Sequence, residues 1–282
     1  SKFLARHRGE GRQRRYFSRT SSGMGTHLSG VTSCSIRGIG KIAARSSGPT
    51  STGSVLTCGY DAGANAAVRA LRRAHPRLPW ALGLHPWHAA EAIEPVLALL
   101  QQERPTAVGE IGLDLGPEPP PPPLARQIEV LEAQLDAADR LRLPVTLHHR
   151  RALGELLPVL RRFPRVRGAL HACSGSPEQV RPFLDLGYLA GIGGAVTRPG
   201  AARVRRLARA LPLDAILLET DAPAIGLEGI RPPAVRPAHL PRVLAALAEL
   251  REDSRDRVEE ATDANAAALF GPGALAAPLG DR

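Results

Sequence analysis

The chain has 282 residues, 43% of them hydrophobic, and a formal net charge of +10 at pH 7. This supports one large domain or two small ones with a sizeable core, and it excludes a membrane span, because charged residues or prolines break every apolar run before roughly 18 residues. Three scattered cysteines, Cys34, Cys58 and Cys173, exclude a disulfide framework and fit a reducing, cytoplasmic setting.

The excess charge is local. Residues 1–50 hold ten Lys or Arg against a single acid, Glu10, so the remainder carries only +1 and its substrate cannot be inferred from the overall balance. This Ser-, Gly- and Arg-rich stretch has one strand-like patch, Val31 to Ile39, and reads as a poorly ordered leader. An organellar transit peptide, a disordered tail and an upstream region read in the wrong frame all match its composition.

From residue 54 the texture changes to short aliphatic runs, each followed by a helical stretch. Ser54–Cys58 precedes Ala64–His75, Trp80–Leu84 precedes Ala89–Gln102, and Thr106–Ile111 precedes Leu124–Leu141. Pro144–Leu147 then leads into Ala152–Phe163, Gly168–Leu170 into Pro177–Leu186, and Tyr188–Ile192 into Ala201–Leu211. Ala215–Leu218, a longer connection and the helix Pro237–Glu249 make the seventh repeat, and Ser254–Phe270 is a final helix. Strands alternating with helices call for a parallel sheet, either doubly wound or closed into a barrel. No Gly-rich phosphate fingerprint follows the first strand, whereas polar residues recur at strand C-termini, where a barrel builds its site. We therefore expect an α/β fold of the TIM-type (β/α)8 barrel class over residues 51–282, with its first strand degenerate, absent or supplied by the leader.

Two carboxylates interrupt the apolar run Ala107-Val108-Gly109-Glu110-Ile111-Gly112-Leu113-Asp114. An ionised acid in a strand covered on both faces costs several kcal/mol unless a cation or hydrogen bonds compensate. Other strand ends carry His148 with Arg150, His171, and the group Glu219-Thr220-Asp221. Taken singly, each His reads as a structural residue and each acid as a helix cap; on one barrel face together they suit a divalent metal, Zn, Mn or Mg. His85 and His88, around Pro86 and Trp87, either extend that site or serve the barrel mouth structurally. Strand alternation turns His149 and Arg151 away from it, and Cys173 reads as inert packing. The proline-rich stretch 117–123 is a stiff loop that either rims the pocket or acts as a spacer.

This series of motifs resembles the TatD family of metal-dependent hydrolases from about Val55 to Gly271. Gly83-Leu84-His85-Pro86 is similar to the family's Gly-x-His-Pro, and Gly109 to Asp114 to its glutamate strand. Gln127 and Gln134 precede Leu143-Pro144-Val145; His148-His149-Arg150 is similar to His-Ser-Arg, and Leu170 to Ser176 to the His-x-Phe-Ser-Gly segment. Leu218-Glu219-Thr220-Asp221-Ala222-Pro223 and the closing Asn265 to Gly271 complete the match. The resemblance implies a barrel that hydrolyses phosphodiester bonds, as a DNase or exonuclease, with one or two divalent ions. Carried over by position, Glu110 bridges the metals, His148 and His171 hold one, and Asp221 holds the other and prepares the attacking water. Arg150 binds a phosphate oxygen, and DNA or another phosphodiester is the partner.

The family's opening Asp-x-His-x-His is missing, and Thr26-His27-Leu28 is the nearest fragment. That loss predicts weak or absent hydrolysis, and a misread N-terminal region is the preferred explanation, ahead of a one-metal variant or a pseudoenzyme. The alternatives to a nuclease are a non-catalytic nucleic-acid-binding protein and a metallohydrolase of a different ester, such as an aminoacyl-tRNA.

Overall fold

The computed structural model describes residues 37–43 and 52–271. The most basic part of the leader, with His27 and Cys34, lies outside the described residues. In chain order the elements are β1 (Arg37–Ala43), β2 (Thr52–Cys58), α1 (Ala62–Ala74), β3 (Trp80–Leu82), α2 (Glu94–Glu103), β4 (Ala107–Asp114), α3 (Leu124–Leu141) and β5 (Val145–Arg150). They continue with α4 (Leu153–Leu160), β6 (Gly168–Leu170), α5 (Pro177–Asp185), β7 (Leu189–Ile192), α6 (Ala202–Ala210), β8 (Ile216–Leu218), α7 (Leu240–Arg251) and α8 (Arg255–Phe270).

One sheet holds all eight strands in sequence order. Strands β2 to β8 are parallel, each joined to the next through a helix, which is the TIM-type α/β arrangement. The eighth strand does come from the stretch read as leader, but it is reversed: β1 pairs antiparallel with β2, Arg37 opposite Cys58. Its connection explains the direction. Eight residues separate β1 from β2, and a parallel crossover needs a dozen or more, so a hairpin is the pairing available. β1 also borders β8 without a ladder to it, so the sheet curls back toward its own edge. Among the described residues, no helix is long and apolar enough to cross a membrane.

β4 is buried along its whole length and runs through Asp114, three residues past the expected end. Its register against β5 slips: Val108 faces Val145 while Ile111 faces Leu147, so β4 carries one extra residue, a bulge containing Glu110. The bulge explains Gly112. Its φ is +141° and a Cβ there would collide with the His148 carbonyl, so only glycine lets β5 come this close. With its ladder partner displaced, the Glu110 amide donates instead to Gly59 O at the end of β2, 2.9 Å away.

The helices cover the sheet through apolar stripes. α3 buries Val130, Leu131, Leu135, Ala138 and Leu141 at helical spacing, and two glutamines share that stripe, Gln127 and Gln134. Buried amides need partners, and here they find backbone. Gln134 accepts from Leu84 N (2.7 Å) and donates to Leu84 O (3.1 Å); Gln127 accepts from Asp114 N (2.8 Å) and donates to Asp114 O (3.0 Å). On α1, Asn65 grips Gly83 in the same manner. Three neutral clamps thus fix the chain at the C-terminal ends of β3 and β4, where the charged residues emerge.

Candidate metal centre

Glu110, His148, His171 and Asp221 leave four different strand ends, and all four are buried. They meet as two linked pairs. His148 Nδ1 lies 3.0 Å from Glu110 Oε1, and His171 Nε2 lies 3.2 Å from Asp221 Oδ1. His148, His171 and Asp221 line one cavity of about 360 Å³ together with Arg150 and Trp87.

Each imidazole is held from behind by a second carboxylate. Asp114 Oδ2 takes the other His148 nitrogen, Nε2, at 2.8 Å, and Glu219 Oε2 takes His171 Nδ1 at 2.9 Å. An ionised carboxylate only accepts, so each of these bonds places a hydrogen on the rear nitrogen; in the neutral ring the opposite nitrogen is then the one available to ligate. The sequence exposed Asp114 and Glu219 as polar strand-end residues, but nothing in it distinguished an orienting acid from a ligand. Glu219 has room because residue 191, on the neighbouring strand, is glycine; a Cβ there would lie 2.5 Å from Glu219 Oε2. Its other oxygen accepts from Ala172 N at 2.6 Å. Ala172 and Asp221 both have left-handed backbone, φ +45° and +47°, strain of the kind that concentrates at working sites.

The charges are set by this network. Burial alone would raise the Asp114 pKa, but hydrogen bonds from His148, Gly116 N and Trp87 outweigh it and bring the group down to about 2. Burial opposes the charged form of His148 as well; bonds to Asp114 and Glu110 overcome it and hold that pKa above the ordinary value. For His171 burial is again outweighed, here by the negative charges of Glu219, Asp221 and Glu110, and its pKa lies well above the usual imidazole range. A site that attracts positive charge this strongly is built for a cation. The donor set passes a direct test of that reading. His171 Nε2 and Asp221 Oδ1 are buried 3.2 Å apart, a spacing at which both could ligate one ion, and neither has any other partner among the described residues.

His85 joins the centre at Glu110. Its Nε2 is 3.5 Å from Glu110 Oε1, and ligand-type atoms of His85, Glu110 and His148 all fall within 4.8 Å of one another. However, His85 Nδ1 accepts from Trp87 N at 3.2 Å, so the neutral ring carries its hydrogen on Nε2 and presents a donor to Glu110. His85 therefore orients the glutamate, whereas His88 pairs with Glu91 (2.8 Å) outside the centre. Trp87 does close part of the barrel mouth, and its indole N–H donates to Asp114 Oδ2 at 2.7 Å.

The two residues after His148 on β5 take different positions. His149 is buried and borders the same cavity as His148 and His171; burial, then the charges of His148 and His171, drive its pKa down to about 4. Arg150 reaches the cavity but is partly engaged: Nη1 donates to Glu118 O (2.8 Å) and lies 3.9 Å from Asp114 Oδ2. That bond brings the proline-rich loop to the edge of the site. Cys173 is buried, with its thiol pushed up to about 12 by burial, consistent with packing alone.

The family model described as TatD related DNase matches residues 38–271. An uncharacterized metal-dependent hydrolase, YjjV of Escherichia coli strain K12, is 40% identical over 226 residues, 77% of this chain and 86% of that protein. The crystal structure of that TatD homologue superimposes with a TM-score of 0.70, covering 76% of this chain and 85% of the other. A protein of Klebsiella pneumoniae strain 342 named 3′-5′ ssDNA/RNA exonuclease TatD is 38% identical over 204 residues, 67% of this chain and 75% of its own length. Motif series, fold and relatives agree, and the chain belongs to the TatD family of metal-dependent hydrolases.

Proposed function

We propose that this chain is a metal-dependent phosphodiesterase that hydrolyses single-stranded nucleic acid from an end, using one or two divalent ions drawn from Mg, Mn or Zn. The observation that carries this reading is the buried pair His171 Nε2 and Asp221 Oδ1, 3.2 Å apart at the wall of the cavity with no other partner among the described residues. Glu110, His148 Nδ1, His171 Nε2 and Asp221 Oδ1 would hold the ions. The ions supply Lewis acidity and a water acidified toward neutral pH. Asp221, which lines the cavity, would help hold an ion and could take up a proton from the attacking water on its free carboxylate oxygen. Arg150 uses the donors not committed to Glu118 O to bind a phosphate oxygen. Asp114 and Glu219 keep the two imidazoles in the ligating tautomer.

The relative from Klebsiella pneumoniae, named for single-stranded DNA and RNA, supports nucleic acid as the substrate class. The cytoplasm is the proposed compartment, supported by Cys58 and Cys173, both buried free thiols. The test is cleavage of end-labelled single-stranded DNA and RNA by purified protein with added Mn or Mg. Chelator-sensitive release of nucleotides that is lost in Glu110→Ala is the expected result. Absence of both cleavage and stoichiometric metal binding in the unaltered chain would overturn the proposal.

A further inference from the structure

A second cavity opens at the mouth, beside the one that holds the charged centre. Its volume is about 440 Å³, within the range of small-ligand sites. The two cavities share a wall formed by Ala172, Ser174, Ala224 and Ile225. Beyond it the lining becomes apolar, with Ala195, Val204 and Pro232 joining Ile225, and a single cation, Arg198, stands at the rim. Arg198 is exposed, and its guanidinium pairs with no acid among the described residues. It is therefore available in a way that Arg150, bonded to Glu118 O, is only in part.

The cavity is a built feature. After β7 the chain forms a tight helical turn, Gly194–Thr197, whose Thr197 hydroxyl donates to Gly194 O (2.7 Å) and accepts from Glu228 N (2.8 Å). That hydroxyl ties the turn to the loop between β8 and α7. The loop is braced in turn by paired backbone bonds between Leu227 and Ile230 and anchored by the buried Leu227 and Val235. Two segments from different strand ends are thus locked around an apolar space that neither of them fills.

We propose that this second cavity is the subsite for the nucleotide adjoining the scissile bond, with its base packed on Ala195, Val204, Ile225 and Pro232 and its phosphate on Arg198. The inference rests on the phosphodiesterase reading and adds a strand-binding site to it. A chain with one phosphodiester in the metal cavity must place its next residue across a wall of that cavity. On this side it meets an apolar surface suited to a base face and an available cation suited to a phosphate. Apolar walls with little directional polarity do not discriminate among bases, so the subsite reads polymer length, not sequence.

The test compares the unaltered protein, Arg198→Ala and Ala195→Trp in the presence of Mn. Binding of a fluorescent tetranucleotide with cleavage-resistant phosphorothioate linkages is read by anisotropy. Turnover of bis(4-nitrophenyl) phosphate, a single ester that needs only the metal cavity, is read alongside. Arg198→Ala should weaken tetranucleotide binding roughly five- to tenfold and lower the slope of log affinity against log salt by about 0.7, one phosphate contact on a single strand. Ala195→Trp, which fills the space, should weaken binding without changing that slope. Both variants should hydrolyse the small ester as the unaltered protein does. Equal tetranucleotide affinity in all three proteins, or no binding by the unaltered one, overturns the subsite. If the unaltered protein fails to hydrolyse the small ester while the Arg198 effect on binding persists, the subsite stands and the hydrolytic reading falls.

Discussion

The two ends of the barrel are both charged, but in opposite manners. At the N-terminal ends of β5 and β6 lies a cavity of about 900 Å³ bordered by Arg140, Arg142, Arg165 and Arg167, larger than either cavity at the mouth. Its arginines are exposed, and its ion pairs are of the surface type: Arg165 with Asp139 (Nε–Oδ1 2.9 Å) and Arg140 with Asp136 (2.6 Å). Water shares those charges, and such pairs contribute little. At the mouth, Glu110, Asp114, Glu219 and Asp221 are buried with His85, His148 and His171, and each charge is answered by a named atom. Volume alone does not distinguish the two ends; the burial of four carboxylates against three imidazoles does.

Substitutions at the two ends should separate them sharply. Asp221→Ala is expected to lower kcat about 10²- to 10⁴-fold in the metal-supplemented cleavage assay, whereas Arg165→Ala should leave kcat unchanged; equal losses at both ends would erase the distinction. Next come the acids behind the imidazoles. Glu219→Gln and Asp114→Asn should each weaken Mn binding about 10- to 100-fold in calorimetric titration while the protein stays folded. In unaltered protein, saturating Mn at about 100 times its Kd should stabilise by about 2.7 kcal/mol, visible as a higher Tm that chelation reverses. Gln127→Leu leaves the Asp114 amide and carbonyl without their partner, and a loss of about 1–3 kcal/mol in denaturant titration is expected.

The smallest effect concerns the thiols. Burial pushes Cys58 and Cys173 up to about 12. A raised folded-state pKa favours the protonated thiol in the fold, so this contribution is intact below the ordinary thiol pKa of about 8.5 and declines as pH rises toward 12. Alkylation of native protein near pH 8.5, mapped by mass spectrometry, should therefore spare both cysteines, and unfolding should expose them. Rapid labelling of Cys173 in the native state would show the mouth to be more open than its packing indicates.

The repeating βα units were legible because short aliphatic runs and long amphipathic stretches alternate. Helix α3 was placed to the residue, framed by prolines before it and the Leu-Pro step before β5. The ends of β4 and β5 were not, because acids and histidines that stop an apolar run look like the end of a strand when their partners lie on other strands. The direction of β1 depended on the length of its connection, which mattered only once its partner strand was known. Glu110, His148, His171 and Asp221 stood out from their strand-end positions and the family motifs, and the fold gathers them as two buried pairs. The distinct parts played by Asp114, Glu219 and His85 did not stand out. An orienting carboxylate and a ligating one are the same residue type, and His85 is set by a backbone amide, Trp87 N, that leaves no mark in the sequence.

The glutamine clamps carry one more consequence. The amide hydrogens of Leu84 and Asp114 go to buried side-chain carbonyls of Gln134 and Gln127, so their exchange with deuterated solvent reports the clamps themselves. A carboxamide has no proton to lose and no net charge to screen. The scaffold at the ends of β3 and β4 should thus keep the same protection, its exchange rate relative to that of an unstructured amide at the same pH, across changes of acidity and ionic strength, while the imidazoles and carboxylates it carries respond to both. The protein separates what holds the centre in place from what the centre does, and assigns the first task to groups that are chemically indifferent.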